Sequence, residues 1–79
     1  MSRFKPGDRV RVVSVTNERG EPIVDAAHPD AIDWTGTPLI GAAGVVIDVL
    51  PDRLTRNNIR LDHLVEVVAF PDADLEPEA

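Results

Sequence analysis

Polar and apolar residues alternate near the start of the chain, in Arg9-Val10-Arg11-Val12. Val10 and Val12 fall on one face and the two arginines on the other, the period of a half-buried β-strand. Pro6-Gly7-Asp8, just before it, is turn chemistry. The strand is expected to run from about Asp8 to Val15. After Val12 its phase slips, with Val13 and Val15 taking the apolar positions and Ser14 the polar one. The slip reads as a bulge or sharp bend that rolls the sheet, the alternative being burial of both faces. Val45-Val46-Ile47-Asp48-Val49 reads as a second strand ended by Pro51-Asp52. Leu64-Val65-Glu66-Val67-Val68-Ala69-Phe70 reads as another, closed by Pro71-Asp72.

The connections are legible from turn residues. Asn17-Glu18-Arg19-Gly20 is a turn in which Gly20 supplies a positive φ. Residues 21–37 form a long first loop, with a short apolar piece at Ile23-Val24, a helical turn over residues 29–34 and a stop at Thr35-Gly36-Thr37-Pro38. Loops of this length in small domains are usually functional or flexible. In Gly41-Ala42-Ala43-Gly44, small residues permit a turn or close backbone approach. Residues 54–61 are ambiguous. Leu54, Asn58, Leu61 and Val65 could line a poor helix, whereas Asn57-Asn58 suits a hairpin turn, which is the reading adopted. Residues 71–79 form an acidic tail in which Leu75 is the large apolar residue able to dock.

Seventy-nine residues with 43% hydrophobic content suffice for one globular domain, spanning 1–79, but leave it marginal. There is no cysteine to staple it. The net charge of −6 is uneven: residues 1–20 carry five basic and two acidic side chains, whereas 21–50 carry five acidic and none basic. Such a surface repels phosphate, which argues against nucleic acid as a partner. Arg3 and Lys5 are not followed by an apolar stretch, and the longest apolar run, residues 39–47, is too short to span a bilayer. The expectation is a cytoplasmic protein without membrane attachment. Seven of eight basic residues are arginine, alongside abundant Ala, Val and Asp, a bias that suggests a GC-rich genome such as that of an actinobacterium or one of its phages.

Phe4, Pro6, Gly7, Asp8, Val10 and Val12 match Phe-x-Pro-Gly-Asp-x-Val-x-Val. Gly41, Gly44 and Val46 match a glycine-spaced entry to the next strand, and Val68, Phe70, Leu75, Glu76 and Pro77 match a final strand, acidic turn and Leu-Glu-Pro. Together these resemble the SH3-like small barrels, including KOW-type modules and the SH3-like domain of the nitrile hydratase beta subunit. The resemblance implies an all-β, single SH3-like small barrel of about five strands with a long first loop. It implies little about function, since this fold hosts many. The long acidic loop departs from KOW modules, and the chain has none of the cysteines that bind the metal in the nitrile hydratase partner subunit.

The chemical signals are sparse. His28-Pro29-Asp30 matches the tripeptide of J-domain cochaperones but lacks their flanking long helices, so an ordinary turn is expected. Asp25, His28, Asp30 and Asp33 could gather around a cation, yet their spacing fits no EF-hand or zinc motif, and a solvated acidic loop is the simpler reading. His63 reads as a surface or packing residue. Ser2 and Ser14 lack nucleophile-elbow glycines, so no catalytic, cofactor or metal residues are assigned and the chain is not read as an enzyme. The acidic tail reads as solubilising charge, or as a mimic of phosphate spacing.

Trp34, the sole tryptophan, is either a lid over one barrel end or an interface anchor. The expected function is therefore a non-catalytic protein-binding module or accessory subunit of a larger assembly, phage-encoded in one form, as a virion or host-takeover protein. Pro29, Ile32, Asp33, Trp34 and Leu39 would form its partner surface, and self-association remains open. The alternative is a KOW-like nucleic-acid or transcription-associated module using Arg3, Lys5, Arg9 and Arg11.

Overall fold

The computed structural model describes residues 3–50 and 56–78. The first strand, β1 (Arg9–Val12), keeps its expected alternation, with Val10 and Val12 buried and both arginines outward. The turn before it closes with the Asp8 amide donating to the Lys5 carbonyl (3.1 Å). The strand then stops at Val12, short of the expected Val15. Val13 donates its amide to the Asp74 carbonyl (2.8 Å), and the chain re-enters extended form as β2 (Val15–Thr16). β2 pairs with β3 (Pro22–Ile23) in a separate two-stranded ribbon, whose turn is the expected one at Asn17–Gly20. Ser14 is not on an outer polar face as the alternation suggests. It is buried, because its hydroxyl donates to the Asp74 carboxylate (2.7 Å).

The main sheet adds β4 (Ala43–Leu50), β5 (Arg56–Leu61), β6 (Val67–Pro71) and β7 (Leu75–Pro77), all antiparallel in the order β6-β5-β4-β1-β7. Among the described residues there is no α-helix, only 3-10 turns at Pro29–Ala31 and Asp72–Asp74. No helix is therefore long and apolar enough to cross a membrane.

The all-β class is as expected, but the sheet is not closed into a barrel. β6 and β7 follow each other in the chain yet occupy opposite edges. A flat five-stranded sheet is about 19 Å wide, whereas the few residues from Pro71 to Leu75 reach at most about 14 Å. The sheet must therefore be strongly rolled. The Asp72–Asp74 turn carries the chain around the opening instead of letting the edges pair.

The concave face holds the core: Phe4, Val10, Val12, Leu39, Val46, Ile59, Leu61, Leu64, Phe70 and Leu75. On β4 it is Val46 that points inward. A register shift between Val46 and Asp48, opposite β5, leaves Ile47 41% exposed. Asn57 and Asn58 do not make a hairpin turn. Both lie within β5, where the buried Asn57 donates to the Phe70 carbonyl (3.2 Å) and to Asp72 Oδ1 (2.7 Å), while Asn58 donates across to Asp48 (2.6 Å). Cross-strand partners make both amides tolerable in a strand. The expected strand end at Pro51-Asp52 and the residue Leu54 lie outside the described residues. The strand expected over 64–70 starts later, at Val67, although Leu64 is buried ahead of it. Within the acidic tail, Leu75 docks as expected and opens β7 alongside β1.

Candidate partner-binding loop

The long loop is tied down at nearly every step. Asp25 Oδ1 accepts from the Ala27 amide (3.0 Å), and His28 Nδ1 accepts from the Asp30 amide (3.0 Å), capping the Pro29–Ala31 turn. Ala31 is buried, and its carbonyl accepts from the Leu39 amide (2.8 Å) while Ile32 bridges Pro38. Residues 32–38 therefore form a closed excursion with Trp34 in it.

Asp33 organises that excursion. Its side chain is fully buried, and Oδ1 accepts from the Thr35 amide (2.8 Å), the Thr35 hydroxyl (2.6 Å) and the Thr37 amide (3.0 Å). Oδ2 lies 2.7 Å from His63 Nε2 in the turn between β5 and β6. The Thr35 hydroxyl above all, then His63 and the two backbone amides, hold the carboxyl far below the usual carboxylate range, against the opposing effect of burial. An ionised carboxylate only accepts, so Nε2 carries the hydrogen in this bond.

A depressed pKa means that the unfolded chain binds the proton more readily than the folded one. Asp33 therefore adds stability at pH above the ordinary carboxylate value near 4, and loses that contribution as the pH falls below it. In Asp33→Asn, urea midpoints measured from about pH 6 down to pH 2 should fall less steeply below about pH 4 than in the wild type. Parallel curves throughout that range would show that the carboxylate has no such role.

The five expected surface residues separate into distinct roles. Pro29 is exposed, Ile32 is half-buried, Asp33 is buried as a positioning group, and Trp34 is 62% exposed. Leu39 departs from the expectation of a flanking surface residue, since it is buried in the hydrophobic core. Nor does Trp34 serve as a lid, because a lid buries its ring on the core and Trp34 stands outside that cluster. Asp25 and His28 accept from the Ala27 and Asp30 amides, while Asp33 is taken up by Thr35, Thr37 and His63. Among the described residues no three His, Cys, Asp or Glu side chains gather to hold a metal.

Sequence reasoning missed two members of the site's framework. His63 is thirty residues from Asp33 in sequence, and no local spacing announces the pair. Asp74 was counted as tail charge, yet it is buried and accepts from Ser14, the Thr16 amide (2.9 Å) and the Thr16 hydroxyl (2.8 Å), which anchors the ribbon at the base of the long loop.

The N-terminal arginines are largely engaged within the protein. Arg9 forms a two-point pair with Asp62 (2.8 and 2.6 Å) and also meets Glu78 (2.9 Å). Arg11 donates to the Gly41 carbonyl (2.9 Å), and Arg3 to the Leu75 carbonyl (2.7 Å) while lying over the Phe4 ring.

These features define a small all-β domain on a rolled five-stranded antiparallel sheet, with a pinned loop presenting one tryptophan. No family model, curated protein or solved structure matches the chain.

Proposed function

We propose that this chain is a non-catalytic protein-binding module, an accessory subunit of a larger assembly, and that Trp34 is its anchor. The observation that carries the reading is the contrast between two adjacent residues. Asp33 is fully buried and hydrogen-bonded by both oxygens, whereas Trp34 leaves 62% of its surface in water. A large aromatic held outward on a pre-ordered loop loses little entropy on docking, which is the condition for a binding hot spot.

The β6-β5-β4-β1-β7 order, with a 3-10 turn between the last two strands, supports the SH3-like reading of the fold. The engagement of Arg3, Arg9 and Arg11 with the protein's own groups favours a protein partner over the KOW-like nucleic-acid alternative. The preference for arginine over lysine supports an origin in a GC-rich genome such as that of an actinobacterium or one of its phages, and a cytoplasmic setting or a virion or host-takeover role belongs to the same reading.

Affinity capture from an actinobacterial lysate with and without phage infection, using wild-type and Trp34→Ala baits, tests the reading. Trp34→Ala should fold with an unchanged melting temperature and lose at least about tenfold in partner recovery. A stoichiometric partner retained equally by both baits would move the interface off the loop.

A further inference from the structure

Trp34 is not the only large apolar side chain facing water among the described residues. Val65, two residues beyond His63, is 87% exposed, more than any other large hydrophobic residue described. The Asp33–His63 bond (2.7 Å) ties the loop that carries Trp34 to the turn that leads to Val65, so the two residues flank one fixed contact. Two large apolar groups held out beside one part-buried hydrogen bond form the kind of surface that marks an interaction site.

The charge along the chain around Trp34 has one sign. Residues 21–50 contain no basic side chain, and the exposed carboxylates nearest in the chain are Asp30, Asp62 and Glu66. Asp62 is matched by Arg9. Arg19 lines a cleft with Asp30 but itself lies 3.8 Å from Glu21. His63 on the turn faces Asp33, and the basic residues of the adjoining β5 are Arg56 and Arg60, the latter paired with Val67. The whole chain carries −6, so its long-range field draws cations in and turns anions away.

Resting on the binding reading above, we infer that Trp34 and Val65 form one docking surface for a segment of another protein that carries an apolar side chain flanked by Lys or Arg. The apolar group covers Val65 and the indole edge. A guanidinium or ammonium lies over the indole face, where the ring quadrupole attracts it. Asp30 and Glu66 form the acidic rim that steers it in.

The sole tryptophan in a chain without tyrosine gives a direct readout of its own burial. The probe is a short peptide alternating Leu with Arg, compared with a Glu-for-Arg and a Ser-for-Leu counterpart. The Leu/Arg peptide should shift Trp34 emission to the blue and protect it from acrylamide, with affinity falling severalfold as salt rises to physiological strength. Val65→Ser should weaken binding about tenfold, and Asp30→Asn with Glu66→Gln about threefold or more, with unchanged melting temperatures. Glu76→Gln on β7, which pairs with Arg11 of β1 rather than with β5 or β6, should change nothing.

An equal response to the Glu peptide, no response to the Leu/Arg peptide, or indifference to Val65→Ser would each overturn the inference. Lysate capture separates this failure from that of the broader reading. A partner that depends on Trp34 but not on Val65 or salt overturns only the cationic surface, whereas a partner indifferent to Trp34 removes the binding loop itself.

Discussion

Replacing Gly44 with alanine is expected to destabilise the protein by about 3 kcal/mol, the upper part of the range for forcing extra atoms into a packed site. The reason is backbone proximity rather than conformational freedom. A Cβ at Gly44 would sit 2.5 Å from the Arg60 carbonyl oxygen and 2.9 Å from Leu61 Cα, both backbone atoms of the paired strand. Neither can swing aside as a side chain does, so β4 and β5 must separate where Gly44 pairs with Leu61. The flanking core residues Val46, Ile59 and Leu61 would lose packing as they do. A cysteine-free domain of this size has a net stability of only a few kcal/mol, so much of the Gly44→Ala population should be unfolded at 37 °C.

Gly20→Ala supplies the control. Gly20 has φ 80° with open space around it, so alanine there meets only backbone strain, about 1–2 kcal/mol. Urea denaturation of both variants decides the matter. A Gly44→Ala protein at least as stable as Gly20→Ala would show that the strands separate at little cost.

Asp74→Ala should cost a comparable amount, about 3 kcal/mol, by a different route. The substitution strips acceptors from the Ser14 hydroxyl, the Thr16 amide and the Thr16 hydroxyl at a site where the carboxylate itself is 1% exposed. Hydrogen bonds to a charged acceptor contribute about 1.5–3 kcal/mol, and donors left unsatisfied in the interior add their own penalty. Asp74→Asn is predicted to be much milder. Turned so that its oxygen accepts from the Thr16 amide, the new side chain offers its NH2 group to the two hydroxyls, which accept as readily as they donate. Because Asp74 joins the last 3-10 turn to β2, amide exchange of Thr16 and its ribbon neighbours should accelerate in Asp74→Ala well before β4 and β5 are affected. Equal losses in the Ala and Asn variants would show that charge, not hydrogen-bond satisfaction, holds the ribbon.

Gly44 and Asp74 illustrate how differently the sequence spoke at two positions. The glycine was readable, because two glycines around two alanines ahead of a valine-rich strand announce a turn and a close approach. The structure uses the segment for both. The aspartate was not readable. It stands in a tail of alternating acids, and nothing in Asp72-Ala73-Asp74-Leu75 says which carboxylate turns inward.

Asn57-Asn58 misled for a related reason. Asparagine favours turns when its amide must find a partner locally, but a neighbouring strand supplies partners just as well. Trp34 was visible as a candidate, but whether it faced the core or water depended on Asp33 and on a histidine thirty residues away.

By itself the sequence determined the all-β class, the opening turn and strand, the ribbon turn and the docking of Leu75. All of these rest on alternation and turn chemistry acting over a few neighbouring residues. Only the tertiary structure decided that the sheet rolls without closing, that Val46 rather than Ile47 points inward, that Leu39 belongs to the core, and that Asp33 and Asp74 are buried anchors. Each of those outcomes depends on which distant strand or turn supplies a hydrogen-bond partner or covers an apolar face. Such pairings bring together residues far apart in the chain, where local periodicity carries no information.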